Sequence, residues 1–233
     1  MGLDSIEILM KVEKTFDISI PDLEAEKIIT IADFHNSVWR HLEGKYSDKC
    51  KSQGLFYKLR QAIIDTFKFP RHDYKPGTSL NNIFPKQNRR QVYFNFAGAN
   101  NLKLPDLVLT KPWSTLLASL GIITILGGLG VSLIRVFFFD YTKWTLLIPV
   151  AGIALTYFIS EILNPIRTVI EPAFVREFTE QVLTINYARL TEENGANRRE
   201  VESVINHIIA DMGGFELDEI TPEKKIHDDL GID

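Results

Sequence analysis

Trp113 to Ile134 contains no charged residue, and Trp144 to Ser160 is a second uncharged run one short turn later, extended by Ile162 and Leu163 past Glu161. As helices rising ~1.5 Å per residue, such runs approach the ~30 Å hydrocarbon thickness of a bilayer. Two of them joined so closely predict a transmembrane helical hairpin over residues 113–163, with both flanks on one side. Trp113 and Trp144 suit the membrane–water boundary, where an indole keeps its N–H wet. Arg135 and Glu161 stand near segment ends, where long side chains reach back to water. Lys103 and Lys111 precede the hairpin and Arg167 and Arg176 follow it, while the turn offers Lys143 beside Asp140. That bias places both flanks in the cytoplasm.

The rest of the chain is segregated by charge. Residues 1–45 hold nine acidic and five basic residues, 51–112 three and eleven, and 164–233 fifteen and seven. Such partition implies distinct surfaces with distinct partners. A basic stretch just before a membrane segment suits an anionic leaflet. It equally suits an acidic protein module. Nucleic acid is a third partner for basic surface, but no stacking motif or recognised binding fold accompanies it, and none is expected. Cys50 is the single cysteine, so no internal disulfide or cysteine-based zinc site forms. The chain opens on an acidic helix rather than a secretory signal. Paired carboxylates, a Ser/His/Asp set, metal-ligand spacing and a phosphate-binding glycine loop are all missing from the pattern, so the expectation is not an enzyme.

At the amino end, Asp4 and Glu7 have capping-box spacing, with Asp in place of Ser or Thr. Ser5 follows in the first turn with its hydroxyl expected near the surface. Ile6, Leu9, Met10, Val12 and Phe16 are the expected buried stripe. Asp17-Ile18-Ser19-Ile20-Pro21-Asp22 then breaks the helix, a short helix is expected near Glu24–Ile28, and Thr30 with Asp33 caps a third running to about Leu42.

The run Gly2-Leu3-Asp4-Ser5-Ile6-Glu7, followed by Phe16-Asp17-Ile18-Ser19-Ile20-Pro21-Asp22 and by Thr30-Ile31-Ala32-Asp33-Phe34, resembles acyl carrier proteins and related peptidyl carrier domains. The resemblance covers Gly2 to about Leu42. It implies that Ser5, behind Asp4, carries covalent 4′-phosphopantetheine. It also implies that Glu7, Glu13, Asp22 and Glu24 form an acidic docking surface. The implied partners are a phosphopantetheinyl transferase and enzymes that load and accept acyl groups.

A carrier bundle has four helices, and the first should precede the Asp-Ser pair. Arg199 to Met212 has that amphipathic pattern, in Val201, Val204, Ile205, Ile208, Ile209 and Met212. Ile220-Thr221-Pro222-Glu223 and Asp228-Asp229-Leu230-Gly231-Ile232-Asp233 then read as the loop before a carrier serine. The terminal half-modules could close within one chain, exchange between two chains in a self-associated dimer, or be pieces of a longer tandem product. Gly2-Leu3-Asp4 nearly repeats Gly231-Ile232-Asp233, which favours truncation or two separate modules. A degenerate repeat sits between them: Asn88–Pro105 lies on Asp4–Pro21 without a gap, and Arg89 takes the place of Ser5.

The reading is therefore an all-α chain. Residues 1–45 are a carrier-like segment, 46–54 a linker, 55–112 a basic degenerate carrier-like domain and 113–163 the hairpin. Residues 164–197 are an amphipathic helix and linker, and 198–233 a carrier-like segment. The function expected is a membrane-tethered acyl carrier presenting thioesters to acyltransferases or synthases. The alternative is a non-enzymatic scaffold whose carrier-like folds serve as interaction modules.

Overall fold

The computed structural model describes residues 3–42, 44, 46, 47, 50–138, 144 and 147–232. The turn at 139–143, with Asp140 and Lys143, lies outside them. The fold is all-α. In chain order come α1 (Leu3–Phe16), α2 (Asp22–Ala25), α3 (Ile31–Leu42), α4 (Lys51–Phe67), α5 (Leu80–Ile83) and α6 (Arg89–Ala99). Strand β1 (Leu107–Val108), α7 (Lys111–Phe138), α8 (Ile148–Ile162), β2 (Val169–Ile170), α9 (Val175–Asn194) and α10 (Arg198–Gly213) follow. Contacts divide the chain into two compact units, one of residues 1–84, 95–105 and 172–233, the other of 85–94 and 106–171.

In the first unit the two ends of the chain pack together. Helix α10 lies against α1 and α3. Its inward residues Val201, Val204, Ile205, Ile208 and Ile209 are buried, as are Val12 and Phe16 of α1 and Ile31, Phe34 and Val38 of α3. The loop after α10 is tied to the entry of α3 by backbone bonds: Ile31 N–H donates to Lys224 O (3.0 Å), Ala32 N–H to Pro222 O (2.9 Å) and Ile226 N–H to Ile29 O (2.9 Å). Asp33 Oδ2 accepts from Thr30 N–H at 2.9 Å, and Thr30 Oγ1 accepts from Asp33 N–H at 3.1 Å, the reciprocal cap that the Thr30–Asp33 spacing predicts.

The same unit uses this backbone plan a second time. Val175 N–H donates to Thr78 O (3.0 Å), Arg176 N–H to Pro76 O (2.9 Å) and Leu80 N–H to Ala173 O (3.0 Å). Glu177 Oε2 caps α9, accepting from Ala173 N–H at 3.0 Å, as Asp33 caps α3. Helices α4 and α10 each end on a left-handed residue, Lys68 at φ 55 and Gly214 at φ 71. Asp17 after α1 and Asn101 after α6 share a left-handed φ of 53 and 48, so Asn88–Pro105 and Asp4–Pro21 turn at corresponding positions. Helix α9, expected as a segment apart from the central stretch, packs along α4. The reason is its buried face, Val175, Phe178, Val182 and Tyr187, which needs a partner wall. Phe84 meets Phe178 edge-on at 6.2 Å and Phe96 at 5.7 Å, while Phe67 stacks on Phe96 at 5.7 Å.

The second unit is built on α7 and α8. Helix α7 is the one described helix long and apolar enough to cross a membrane, while α8 is shorter. At ~1.5 Å per residue α8 extends only ~22 Å, less than a hydrocarbon layer. Its helix starts at Ile148 although the uncharged run begins at Trp144, and Pro149, which has no N–H, occupies the first turn. The two helices approach closely. A Cβ at Gly152 would lie 3.1 Å from Thr124 O, and one at Gly121 would lie 3.3 Å from Thr156 Cγ2. Gly152→Leu is expected to separate α7 from α8 and cost about 1–3 kcal/mol by overpacking. Disulfide trapping of a cysteine pair across the two helices should fall in that variant, and unchanged trapping would refute the close crossing. At the open end, β1 pairs antiparallel with β2, Leu107 opposite Ile170 and Val108 opposite Val169.

Candidate functional site

Helix α1 begins by Leu3, so Asp4 and Ser5 sit inside its first turn rather than at its cap. This rotates the stripe expected from the sequence. Ser5, Ile8, Val12 and Phe16 face inward, whereas Ile6 and Met10 are exposed by 45% and 61%. Ser5 is 9% exposed, which corrects the expectation of a hydroxyl near the surface. The loop from Lys225 to Ile232 lines the same cavity as Ser5. Ile232 N–H donates back to Ile226 O at 3.1 Å, and Gly231 adopts φ 64 to close the turn.

Ser5 opens into a cavity of about 380 Å³. Ile8 and Leu9 come from α1, Ile28 and Ile29 from the approach to α3, Phe34 from α3 and Ile209 from α10. Lys225, His227 and Asp228 form the polar part of its lining. Lys225 Nζ pairs with Asp228 Oδ2 at 2.9 Å, and each partner moves the other, the lysine up and the carboxyl down. The chamber is thus lined mainly by apolar side chains, with Ser5 and the Lys225–Asp228 pair among its polar ones. It can house an alkyl chain while leaving a polar group near water. The residues that close it from the carboxyl end escape a reading of the Asp4-Ser5 motif. The signal for them is the loop Ile220–Ile232 and the apolar stripe of α10.

The acidic residues named from the sequence divide into two sets. Asp4, Glu7 and Asp22 are exposed, Asp4 in the first turn of α1 and Asp22 at the start of α2. Glu13 and Glu24 are engaged internally. Glu13 Oε1 accepts from Ile20 N–H at 2.7 Å. Glu24 Oε1 accepts from Ser37 Oγ at 2.6 Å and Arg40 Nη2 at 2.7 Å, and its Oε2 lies 3.1 Å from His41 Nε2. The Ser37 bond, with His41 and Arg40, holds the Glu24 carboxyl below its ordinary range. Arg89, in the position corresponding to Ser5, is 7% exposed, and its Nε donates to Pro85 O at 3.2 Å. A guanidinium there offers no oxygen for covalent attachment. Among the described residues no group of His, Cys, Asp or Glu has the arrangement of a metal site.

No family model and no solved structure matches this chain. Curated proteins do. It is 49% identical over 46 residues to an acyl carrier protein of Karelsulcia muelleri (strain GWSS), covering 20% of this chain and 55% of that protein. It is 50% identical over 37 residues to an acyl carrier protein of Campylobacter curvus (strain 525.92), covering 16% and 48%. An acyl carrier protein of Clostridium acetobutylicum is 44% identical over 42 residues, covering 18% and 54%. The chain spans about half the length of the curated relatives it matches, and over that half its similarity is to acyl carrier proteins.

Proposed function

We propose that this chain is a membrane-tethered acyl carrier whose covalent 4′-phosphopantetheine arm is attached at Ser5. The observation that carries the reading is the position of Ser5, in the first turn of a helix and on the wall of an apolar cavity. The residues present fit the group. The positive end of the α1 dipole favours a phosphodiester there, and the Lys225 ammonium, shared with Asp228, lies on the same cavity wall. Ile8, Leu9, Phe34 and Ile209 form an apolar lining suited to an alkyl chain. The arm, when attached, supplies a thiol that holds an acyl group as a thioester. The protein's part is to position Ser5, expose Asp4, Glu7 and Asp22 to partner enzymes, and keep the chain at a lipid surface through α7 and α8. This is a carrier and not an enzyme. Its partners on this reading are a phosphopantetheinyl transferase and acyl-loading and acyl-accepting enzymes. Both soluble ends face the cytoplasm, where coenzyme A supplies the arm.

The burial of Ser5 sets a condition: on this reading the Lys225–Ile232 loop, which lines the same cavity, lifts before a transferase reaches the hydroxyl. Few backbone bonds hold it to α3, and loops of that kind open at low cost. The test is intact mass of the full chain after co-expression with a broad phosphopantetheinyl transferase. A gain of about 340 Da is expected from the composition of the group, absent in Ser5→Ala. No gain in a folded sample would overturn the attachment.

A second reading has its own support. Ser5 is enclosed, and the corresponding Arg89 is unmodifiable. Both carrier-like bundles would then be interaction modules of a membrane scaffold. An unmodified chain that still recruits acyl-handling enzymes to membranes would favour it.

A further inference from the structure

We infer that the open end of the α7–α8 hairpin carries a binding site for an acidic phospholipid, with the headgroup phosphate among Arg90, Lys111 and Arg167. The inference rests on the membrane reading of the hairpin and adds a lipid class and named residues to it.

Three observations bring the segments that carry these cations to the open end of the hairpin within the second unit. Arg90 Nη2 donates to Asn164 Oδ1 at 3.3 Å, directly after α8. Arg167 Nη2 donates to Ser160 Oγ at 2.8 Å and to Ser160 O at 3.3 Å, one helical turn earlier. Thr168 N–H donates to Val108 O at 3.2 Å, so the strand ladder brings the chain around Arg167 beside the start of α7 at Lys111. Each arginine uses one terminal nitrogen on the protein. Arg167 Nε is shielded from water and has no hydrogen-bond partner. Lys111 is exposed and begins the apolar helix.

A shallow groove then runs from Lys111 along one face of α7, past Pro112, Thr115, Leu116, Ser119 and Leu120 to Ile123. Over those residues the helix rises ~18 Å. It begins at a cation and ends on aliphatic side chains, with the hydroxyls of Thr115 and Ser119 between aliphatic neighbours along it, a charged end and an apolar end as a phospholipid has. The nearest described acids in this unit, Asp106, Glu161 and Glu171, are exposed, and none lines the groove. Guanidinium groups suit phosphate because their donors are planar and paired. Lysine beside an anionic leaflet adds attraction within a Debye length. Trp113, 46% exposed two residues into α7, is placed for the headgroup boundary.

The test uses the full chain in bilayers of equimolar phosphatidylglycerol and phosphatidylcholine. Lipid retained by the released protein is read by native mass spectrometry. The expected result is several-fold more phosphatidylglycerol than phosphatidylcholine, falling to near parity in Lys111→Gln/Arg90→Gln. Lys58→Gln/Lys75→Gln, an equal loss of charge on the other unit, should keep the preference. Parity in the unaltered chain overturns the site. So does an equal fall in the charge-loss control, which would mark a diffuse field. Preference erased by excess soluble glycerol phosphate would assign the cluster to a free phosphate and overturn the lipid. Flotation with liposomes separates the two layers of the reading: a chain that floats without preference sinks this site alone, whereas one that floats with no liposome sinks the membrane reading as well.

Discussion

Glu200→Ala is expected to cost about 3–5 kcal/mol of stability, the range for stranding one member of a buried ion pair. Glu200 stands in the first turn of α10, and its Oε1 accepts from Ser52 N–H at 2.9 Å. Its Oε2 lies 3.6 Å from Lys51 Nζ, with side-chain exposures of 3% for the lysine and 10% for the glutamate. The ammonium also lies 4.9 Å from the centre of the Tyr187 ring. Burial already holds the lysine below its ordinary pKa, opposed by the charge of Glu200. Alanine removes that counter-charge and the acceptor for the first turn of α4 together. Lys51→Met/Glu200→Gln should recover all but about 1–2 kcal/mol. Glutamine retains an acceptor for Ser52, methionine packs on Tyr187, and no charge is left buried. Chemical unfolding in detergent gives the comparison. A loss under about 1 kcal/mol in Glu200→Ala would show that water reaches Lys51.

Phe178→Ala should cost about 3–5 kcal/mol, and Phe34→Ala distinctly less, although the two phenylalanines hold corresponding places in α9 and α3. Phe178 is fully buried and meets Phe84 edge-on in a filled aromatic core. Its removal leaves a void that neighbouring rings cannot close. Phe34 lines the cavity beside Ser5, so one side of its ring already lacks partners and there are fewer contacts to lose. Retention of a long acyl chain should respond in the opposite sense, changing in Phe34→Ala and not in Phe178→Ala. The readouts are the two unfolding midpoints and the protection of an attached acyl group from hydroxylamine. Equal costs would mean that the chamber collapses in solution.

The contrast between these two positions shows how far the chain could be read before its structure. Helical periodicity placed α3, α10 and the long apolar helix. The Thr30–Asp33 pair is a local hydrogen-bond pattern, and local patterns survive whatever packs around them. The phase of α1 did not follow, because Ile6 and Ile8 are equally apolar and only the wall provided by α10 and the Lys225–Ile232 loop selects which one turns inward. Ser5 is buried on a cavity shared with that loop, although the residues around the serine resemble a site for attachment. Glu13 and Glu24 look like free acidic surface in sequence, yet each closes onto a donor several residues away.

By itself the amino-acid sequence determined the all-α character, the carrier-like motif around Ser5 and a long lipid-compatible helix, since these depend on residue type at helical spacing. Only the tertiary structure decided that the two ends pack into one bundle, that the bonds joining Pro222, Lys224 and Ile226 to the entry of α3 recur at Pro76, Thr78 and Leu80, and that a chamber lies behind Ser5. Those features arise from residues far apart in the chain, where burial of apolar surface selects the partner and local preference is silent.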